Sequence, residues 1–329
     1  MKKTSADFRE LYNREKNKIE LRIGKVFRNR KPDSLYNPGK YILNSGGKRL
    51  RPLLVLLSAK AAGGKFSDAY NAAVAVELLH NFTLVHDDIM DNADKRRGRV
   101  TLHKKYDSST AILAGDSLLA VAYECLLKDC RQNPVKIFQS FTKALVKVCE
   151  GQSLDKDFET RTAVAPEEYI EMISKKTAAM IEMCCELGGL IAGAPNKIVR
   201  ALALFGRYIG IAFQIQDDLL DITADEKKFG KTSGGDLVEG KKTFLFLRAL
   251  EKATGADREA LLRVIKNKGI KRDDVNKYKM IYRRLGVIDD SVSIIKNYSE
   301  KASQQLKYLS KDDKAILHWL NDSLINRIH

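Results

Sequence analysis

Apolar residues recur at helical spacing through most of the chain, and few stretches show the period-two alternation of a strand. Residues 1–30 mix charge with apolar positions at Phe8, Leu11, Ile19, Ile23 and Val26, a pattern that predicts an exposed amphipathic helix. Pro32, Pro38 and Gly39 predict a turn, and the segment SGGKRLRP at 45–52 a second break. A helix is expected over Leu53–Ala62, stopped by Gly63 and Gly64. Ser67–Asp91 is apolar almost all round, as a central buried helix is. Further helices fit 108–130, 134–158, 166–192 and 196–222. A loop rich in Gly and Lys follows at 223–242, read as a flexible lid, and helices then run to the end. The six prolines leave long stretches rich in Ala, Leu, Lys, Glu and Ile uninterrupted. The reading is all-α. Without a low-complexity linker or composition shift, it is one domain over residues 1–329, with an N-terminal helical region at 1–35.

Composition narrows the class. Of 329 residues, 44% are hydrophobic, enough for a large core, which excludes wholesale disorder. The net charge is +16, and residues 1–51, with 15 basic and 5 acidic side chains, supply +10 of it. Such a field attracts nucleic acid or anionic lipid, but the basic segments lack interleaved aromatic platforms. A solvated face plus a local site for anionic substrates is the reading adopted, with no nucleic-acid partner. No run of about 18 uncharged apolar residues occurs, so membrane insertion is not expected. The basic N-terminus lacks the apolar stretch of a signal peptide. Five cysteines without a CxxC pair or a nearby histidine argue against disulfides and structural zinc, and fit a reducing cytoplasm.

Two segments share one plan. LVHDDIMDNADKRRG at 84–98 and QIQDDLLDITADEKKFG at 214–230 each join an apolar helix to DDxxD and then to a basic loop closed by glycine. The first and third aspartates of each motif lie one helical turn apart, so Asp87 sits over Asp91 in line with His80. Gln214, Asp217, Asp218 and Asp221 make a similar stripe. Stacked carboxylates repel, and near a helix C-terminus they also oppose the helix dipole. Lys95, four residues after Asp91, offers the first cluster a salt bridge. No basic residue lies between Arg207 and Lys227 to do so for the second. Magnesium suits both clusters, because this hard octahedral ion takes one or two carboxylates and completes its shell with water and substrate phosphate.

GGKRLRP, the paired DDxxD motifs, and the GQ, KT and GK elements make residues 40–245 resemble the trans-prenyltransferases, the short-chain isoprenyl diphosphate synthases. The resemblance implies a single bundle of long helices around a deep central cavity, usually in a homodimer. It implies head-to-tail joining of isopentenyl diphosphate to an allylic diphosphate (dimethylallyl, geranyl or farnesyl), with release of pyrophosphate. Asp87 and Asp91 from one wall and Asp217 from the other would hold Mg²⁺, three ions in all, on the allylic diphosphate, with Asp88, Asp218 and Asp221 in support. Arg96, Lys176, Lys231 and Lys241 would contact the same diphosphate. Lys48, Arg51, His80 and Arg97 would take isopentenyl diphosphate without metal; on composition alone Lys48, Arg49 and Arg51 also read as a solvated basic turn, but their place after a glycine pair, whose N–H groups can meet an anion, favours a site.

Gln152, Thr177 and Gln214 match positions beside the allylic cation, and they also read as hydrogen-bonded polar groups inside a helical bundle. Asp155 matches a further family position without a firm role. Gly206 and Gly210 either thin a wall for the prenyl tail or let helices pack closely. No side chain is an evident base for the final proton, which the resemblance assigns to the departing pyrophosphate. Phe82 and Thr83, five and four residues before the motif, with His86 directly before it, would form the floor that stops elongation. They predict a C20 product, or C15, while core packing is the other reading of Phe82.

Three rivals are weaker. GDLVEGKK at 235–242 approaches a Walker A motif, but Lys242 stands where Ser/Thr should hold magnesium and the loop follows a helix, not a strand. A class I terpene cyclase would carry an Asn/Ser/Glu pattern near Asp217. A non-catalytic subunit of a heteromeric synthase would have lost aspartates from one cluster.

Overall fold

The computed structural model describes residues 5–223 and 233–325, and these are helical apart from one two-stranded antiparallel hairpin, Lys95–Arg96 with Arg99–Val100. The fold is all-α, as the apolar periodicity predicts. The described residues group into two compact units.

The first unit comprises residues up to Ser140 together with Cys184–Arg200 and Leu309–Ile316. It holds α1 (Ser5–Ile23), α2 (Asp33–Leu43), α3 (Leu50–Ala61), α4 (Tyr70–Met90), α5 (Leu102–Lys105) and α6 (Ser108–Leu127). In α3 the run Leu53–Leu57 is 0% exposed at every position. Burial of each such side chain contributes about 1.5–3 kcal/mol. α4 is buried almost all round through Leu79 and becomes polar toward its C-terminal end, as expected for a central helix that finishes at a site. Small residues on α6 (Ala111, Ala114, Gly115, Ala122) let it pack closely along α4. Two carboxylates cap these helices. Asp107 accepts from the Thr110 N–H at 2.8 Å at the start of α6, and Asp129, beyond the end of α6, accepts from the Ala72 N–H at 2.7 Å at the start of α4.

Local signals misplace several boundaries here. Pro38 and Gly39 lie inside α2 instead of forming a turn. Gly39 serves packing, since a Cβ on it would fall 2.6 Å from Phe27 Cε2. α3 begins at Leu50, three residues before the expected start, which places Pro52 in the first turn, where its missing N–H costs nothing. α1 is not simply exposed. It buries Phe8, Ile19 and Ile23, and also Glu15 at 0% exposure, where the Tyr70 hydroxyl and Lys18 satisfy the carboxylate.

The second unit takes α7 (Pro134–Thr160) from Phe141 on, then α8 (Pro166–Ile173), a π-helical turn at Ser174–Ala178, and α9 (Ala179–Ile191) through Met183. It continues with α10 (Asn196–Thr223) from Ala201, α11 (Gly235–Val238), α12 (Phe244–Lys252), α13 (Gly255–Asn267), α14 (Val275–Arg284) and α15 (Val287–Gln305). Residues of α16 (Lys311–Ile325) from Leu317 on complete it. Its core joins Phe158, Tyr169, Ile215, Leu219, Phe246 and Tyr282. The helix expected over 166–192 is therefore interrupted, and the extra residue of the π turn re-aims the side chains that follow. α10 lies close upon this turn, because a Cβ on Gly210 would fall 2.7 Å from Ala178 Cα. Close packing is thus the role of Gly210. Of the expected lid, residues 224–232 lie outside the described residues, and the remainder includes α11.

Two helices, Ser108–Leu127 and Asn196–Thr223, are long and apolar enough to cross a membrane by length and composition, although both carry charged residues. Of their most apolar windows, 44% and 61% are buried within the fold.

Arg49 is the structural surprise of the first unit. It adopts a left-handed backbone (φ 51°) just before α3 and is 3% exposed. Its guanidinium reaches Glu20 at 2.8 Å, Glu77 at 2.6 Å and the Leu43 carbonyl at 2.8 Å. Removing one partner of a buried ion pair leaves the other uncompensated, so Arg49→Ala should cost about 3–5 kcal/mol in denaturant unfolding. A loss below about 1 kcal/mol would show that the network is dispensable.

Candidate active site

The loop that leads into α3 is shaped by two glycines with positive φ, Gly46 (71°) and Gly47 (147°), a conformation costly for other residues. Arg97 sits at the tip of the hairpin and donates from Nη1 to the Gly46 carbonyl. A Cβ on Gly47 would fall 3.0 Å from that same nitrogen, so glycine also admits the guanidinium. Arg51, in the first turn of α3, lies 3.3 Å from His80 Nε2 on α4. A guanidinium can only donate, so Nε2 accepts and the imidazole is neutral. Burial, and then the charges of Arg51, Arg97, Arg96 and Arg49, push the His80 pKa well below its usual value. Lys48 is exposed in the same loop, and its backbone carbonyl accepts from Tyr12 Oη at 2.6 Å. The fold thus gathers the cationic residues singled out for a diphosphate around one loop. Arg49 alone turns inward, which excludes a wholly solvated basic turn.

At the C-terminal end of α4 the three aspartates differ. Asp87 is half-buried and Asp91 exposed, one turn apart, whereas Asp88 is 2% exposed and pairs with Arg96 Nε at 2.6 Å. Burial raises the Asp88 pKa despite Arg96. Arg96 is therefore engaged by a carboxylate in this structure. Phe82 and Thr83 are half-buried, and the Thr83 hydroxyl is satisfied by the His80 carbonyl at 2.8 Å.

The second unit joins its own set. A Cβ on Gly151 would fall 2.6 Å from Lys176 Cα, so α7 and the π turn meet backbone to backbone there. That contact brings Lys176 onto Asp155 and sets Thr177 beside Gln214, whose Oε1 accepts from Thr177 Oγ1 at 2.9 Å. Gln214 Nε2 in turn donates to Asp218 Oδ1 at 3.1 Å, and the Tyr169 hydroxyl donates to Asp218 Oδ2. Asp221 accepts from the Asp236 N–H at 3.1 Å, and Asp217 is exposed. Lys241 lies 2.7 Å from Glu239 and 3.6 Å from Asp236, while Lys231 lies outside the described residues. Gln152 is 8% exposed, and neither amide atom has a hydrogen-bond partner.

Electrostatics mark this acidic set. Burial, and then the neighbouring Asp236 charge, raise Asp218 to about 8. Burial and the Asp221 charge raise Asp236 to about 6, and burial raises Asp221 as well. Acids held this far from their ordinary range are short of positive charge, and a hard divalent cation relieves that shortage. Among the described residues no three His, Cys, Asp or Glu side chains converge on one point to cage a metal alone. One or two carboxylates completed by phosphate and water fit magnesium instead. Asp236 and Tyr169 escaped the sequence reading. The only signal for Asp236 is its place in GGDLVEG, weighed there as a nucleotide loop, and nothing local marks Tyr169.

Comparison with known proteins gives a consistent picture. The family model described as polyprenyl synthetase matches residues 32–283. A geranylgeranyl diphosphate synthase of Methanosarcina mazei is 38% identical over 323 residues, 97% of each chain. The crystal structure of a geranylgeranyl pyrophosphate synthetase from Pyrococcus horikoshii superposes with a TM-score of 0.89 at 37% identity, covering 97% of this chain and 99% of that one. A Caulobacter crescentus polyprenyl synthase, solved with calcium and isoprenyl diphosphate, is 27% identical with a TM-score of 0.89, covering 100% and 99%.

The raised carboxyls have a consequence for stability. A carboxyl whose folded pKa exceeds its unfolded value favours folding while protonated, and that contribution fades as pH rises through the folded value, about 8 for Asp218. The melting temperature of the metal-free chain should therefore fall between about pH 4 and about pH 8, and Asp218→Asn should flatten the fall. Equal slopes in the two proteins would refute the assignment.

Proposed function

This chain belongs to the polyprenyl synthetase family, and we propose that it makes geranylgeranyl diphosphate (C20), with farnesyl diphosphate (C15) as the shorter product. It is a trans-isoprenyl diphosphate synthase, joining isopentenyl diphosphate to allylic diphosphates. The observation that carries the site assignment is the separation of two chemistries. Guanidinium and imidazole groups surround the Gly46–Lys48 loop, and raised carboxyls crowd the end of α10.

Lys48, Arg51, His80 and Arg97 bind the isopentenyl diphosphate. A neutral His80 donates to a phosphate oxygen from Nδ1 while Arg51 occupies Nε2. Asp87, Asp91 and Asp217 are the primary magnesium ligands, with Asp88, Asp218 and Asp221 behind them. Magnesium held by these carboxylates, three ions in all, would supply positive charge to the departing diphosphate. Calcium and isoprenyl diphosphate in the Caulobacter crescentus enzyme support a divalent cation here. Lys176, Lys231, Lys241 and Arg96 add fixed positive charge to the same diphosphate. For Arg96 this means exchanging Asp88 for phosphate.

Gln152, Thr177 and Gln214 line the path of the allylic cation. Their oxygens stabilise positive charge without capturing it, and the unpartnered Gln152 amide is the group most in need of a ligand. Phe82 and Thr83 end the tunnel. Exposed Ile112 (42%), Leu113 (59%) and Leu127 (59%) on α6 form the face that a second copy covers in a homodimer. The five free thiols fit a cytoplasmic enzyme.

Incubation with labelled isopentenyl diphosphate and each allylic starter, with and without Mg²⁺, should give C20 and C15 alcohols after dephosphorylation. Asp87→Ala and Asp217→Ala should each lower kcat about 10³-fold or more with an unchanged melting temperature. Near-normal turnover would refute the metal assignment. Phe82→Ala should lengthen the products, and an unchanged spectrum would remove Phe82 from the floor. Leu113→Arg should convert a dimer into monomers in sedimentation, and a wild-type mass would place the interface elsewhere.

A further inference from the structure

We propose that Gly115 on α6 sets product length by fixing where the His86 ring lies against Phe82. The inference rests on the reading of Phe82 as the tunnel floor.

Phe82 and His86 stand four residues apart on one face of α4, with ring centroids 4.5 Å apart and planes tilted by 50°. His86 Nδ1 lies 3.1 Å from the Phe82 carbonyl. A carbonyl only accepts, so Nδ1 carries the hydrogen and the ring is pinned to the backbone of the residue whose side chain it covers. Asp116 lies 3.6 Å from the opposite nitrogen, beyond hydrogen-bond length, so the carboxylate does not hold the ring. What the ring meets on α6 is Gly115. A Cβ built there would fall 2.8 Å from His86 Nδ1, well inside van der Waals contact. The imidazole is thus wedged between a ring it covers and a backbone that has no side chain.

The obstacle is a side-chain ring, not backbone, so an added methyl at 115 displaces His86 and leaves the α4–α6 packing in place. Displaced from Gly115, the imidazole moves against Phe82 and narrows the floor. Removing the imidazole has the opposite effect, freeing Phe82 to rotate and deepening the tunnel. His86 and Gly115 act as positioning residues, since neither is assigned to metal or diphosphate.

The test is the product spectrum of Gly115→Ala, His86→Ala and the double variant, read with melting temperatures and beside Phe82→Ala. Gly115→Ala should raise the C15-to-C20 ratio, and His86→Ala should lower it, each by about ten-fold. In the double variant the methyl meets no ring, so its products should match those of His86→Ala. That epistasis is what a merely structural glycine would not produce. A folded Gly115→Ala with the wild-type product ratio would overturn the proposal, as would an additive double variant. If Gly115→Ala does not fold, His86→Ala decides alone, and an unchanged spectrum overturns it. Longer products from Phe82→Ala with wild-type products from Gly115→Ala would leave the floor assignment standing and refute only the wedge. No effect from Phe82→Ala would refute the floor itself.

Discussion

Arg49 carries a full charge at 3% exposure, and a guanidinium does not shed its proton to escape that environment. The burial is tolerable because α1 supplies Glu20, α4 supplies Glu77, and the end of α2 supplies the Leu43 carbonyl. Asn81, one turn beyond Glu77, donates to the same carboxylate at 3.2 Å. One side chain thus ties three helices to the start of a fourth. Its neighbours in sequence inherit the geometry. With Arg49 turned inward, Lys48 is left exposed, and Arg51 emerges two residues later beside His80. The surface proposed to bind diphosphate is organised by the one arginine of GGKRLRP that does not belong to it.

The acidic side obeys the opposite logic. Asp218, Asp221 and Asp236 gather where burial and mutual repulsion raise their proton affinity, and the Tyr169 and Gln214 donors only partly relieve the strain. Such a cluster, once ionised, is unfavourable for the folded chain alone, and the divalent cation proposed above would relieve it. Asp88 solves the same problem internally, by pairing with Arg96. The two DDxxD motifs are therefore alike in sequence and unlike in electrostatics. The hairpin gives the first a paired cation, Arg96, whereas burial dominates the second even with Lys241 3.6 Å from Asp236.

Close backbone approach recurs wherever chemistry is positioned. Gly151 brings α7 onto the turn that carries Lys176 and Thr177, Gly210 brings α10 onto the same turn, and Gly115 admits His86. In each case the missing side chain is what allows the neighbouring segment to sit where it does. The π turn contributes in the same way, because one added residue shifts the register of Lys176 and Thr177 relative to a continuous helix.

Helical periodicity, proline placement and the charge pattern were sufficient for the all-α class, for the long helices α4, α6, α7 and α10, and for the two acid motifs with their basic loops. Those features are local, since a residue's periodicity and its neighbours four positions away are written in the chain itself. Tertiary packing alone decided that Pro38 and Gly39 continue a helix beneath the Phe27 ring, and that residues 174–178 form a π turn against Gly151. Packing also turned Arg49 inward while Lys48 stayed out, and made Asp236 and Tyr169 neighbours of the second motif. Each of those outcomes depends on a partner 12 to 49 residues away in sequence, and a contact of that kind exists only once the helices have packed.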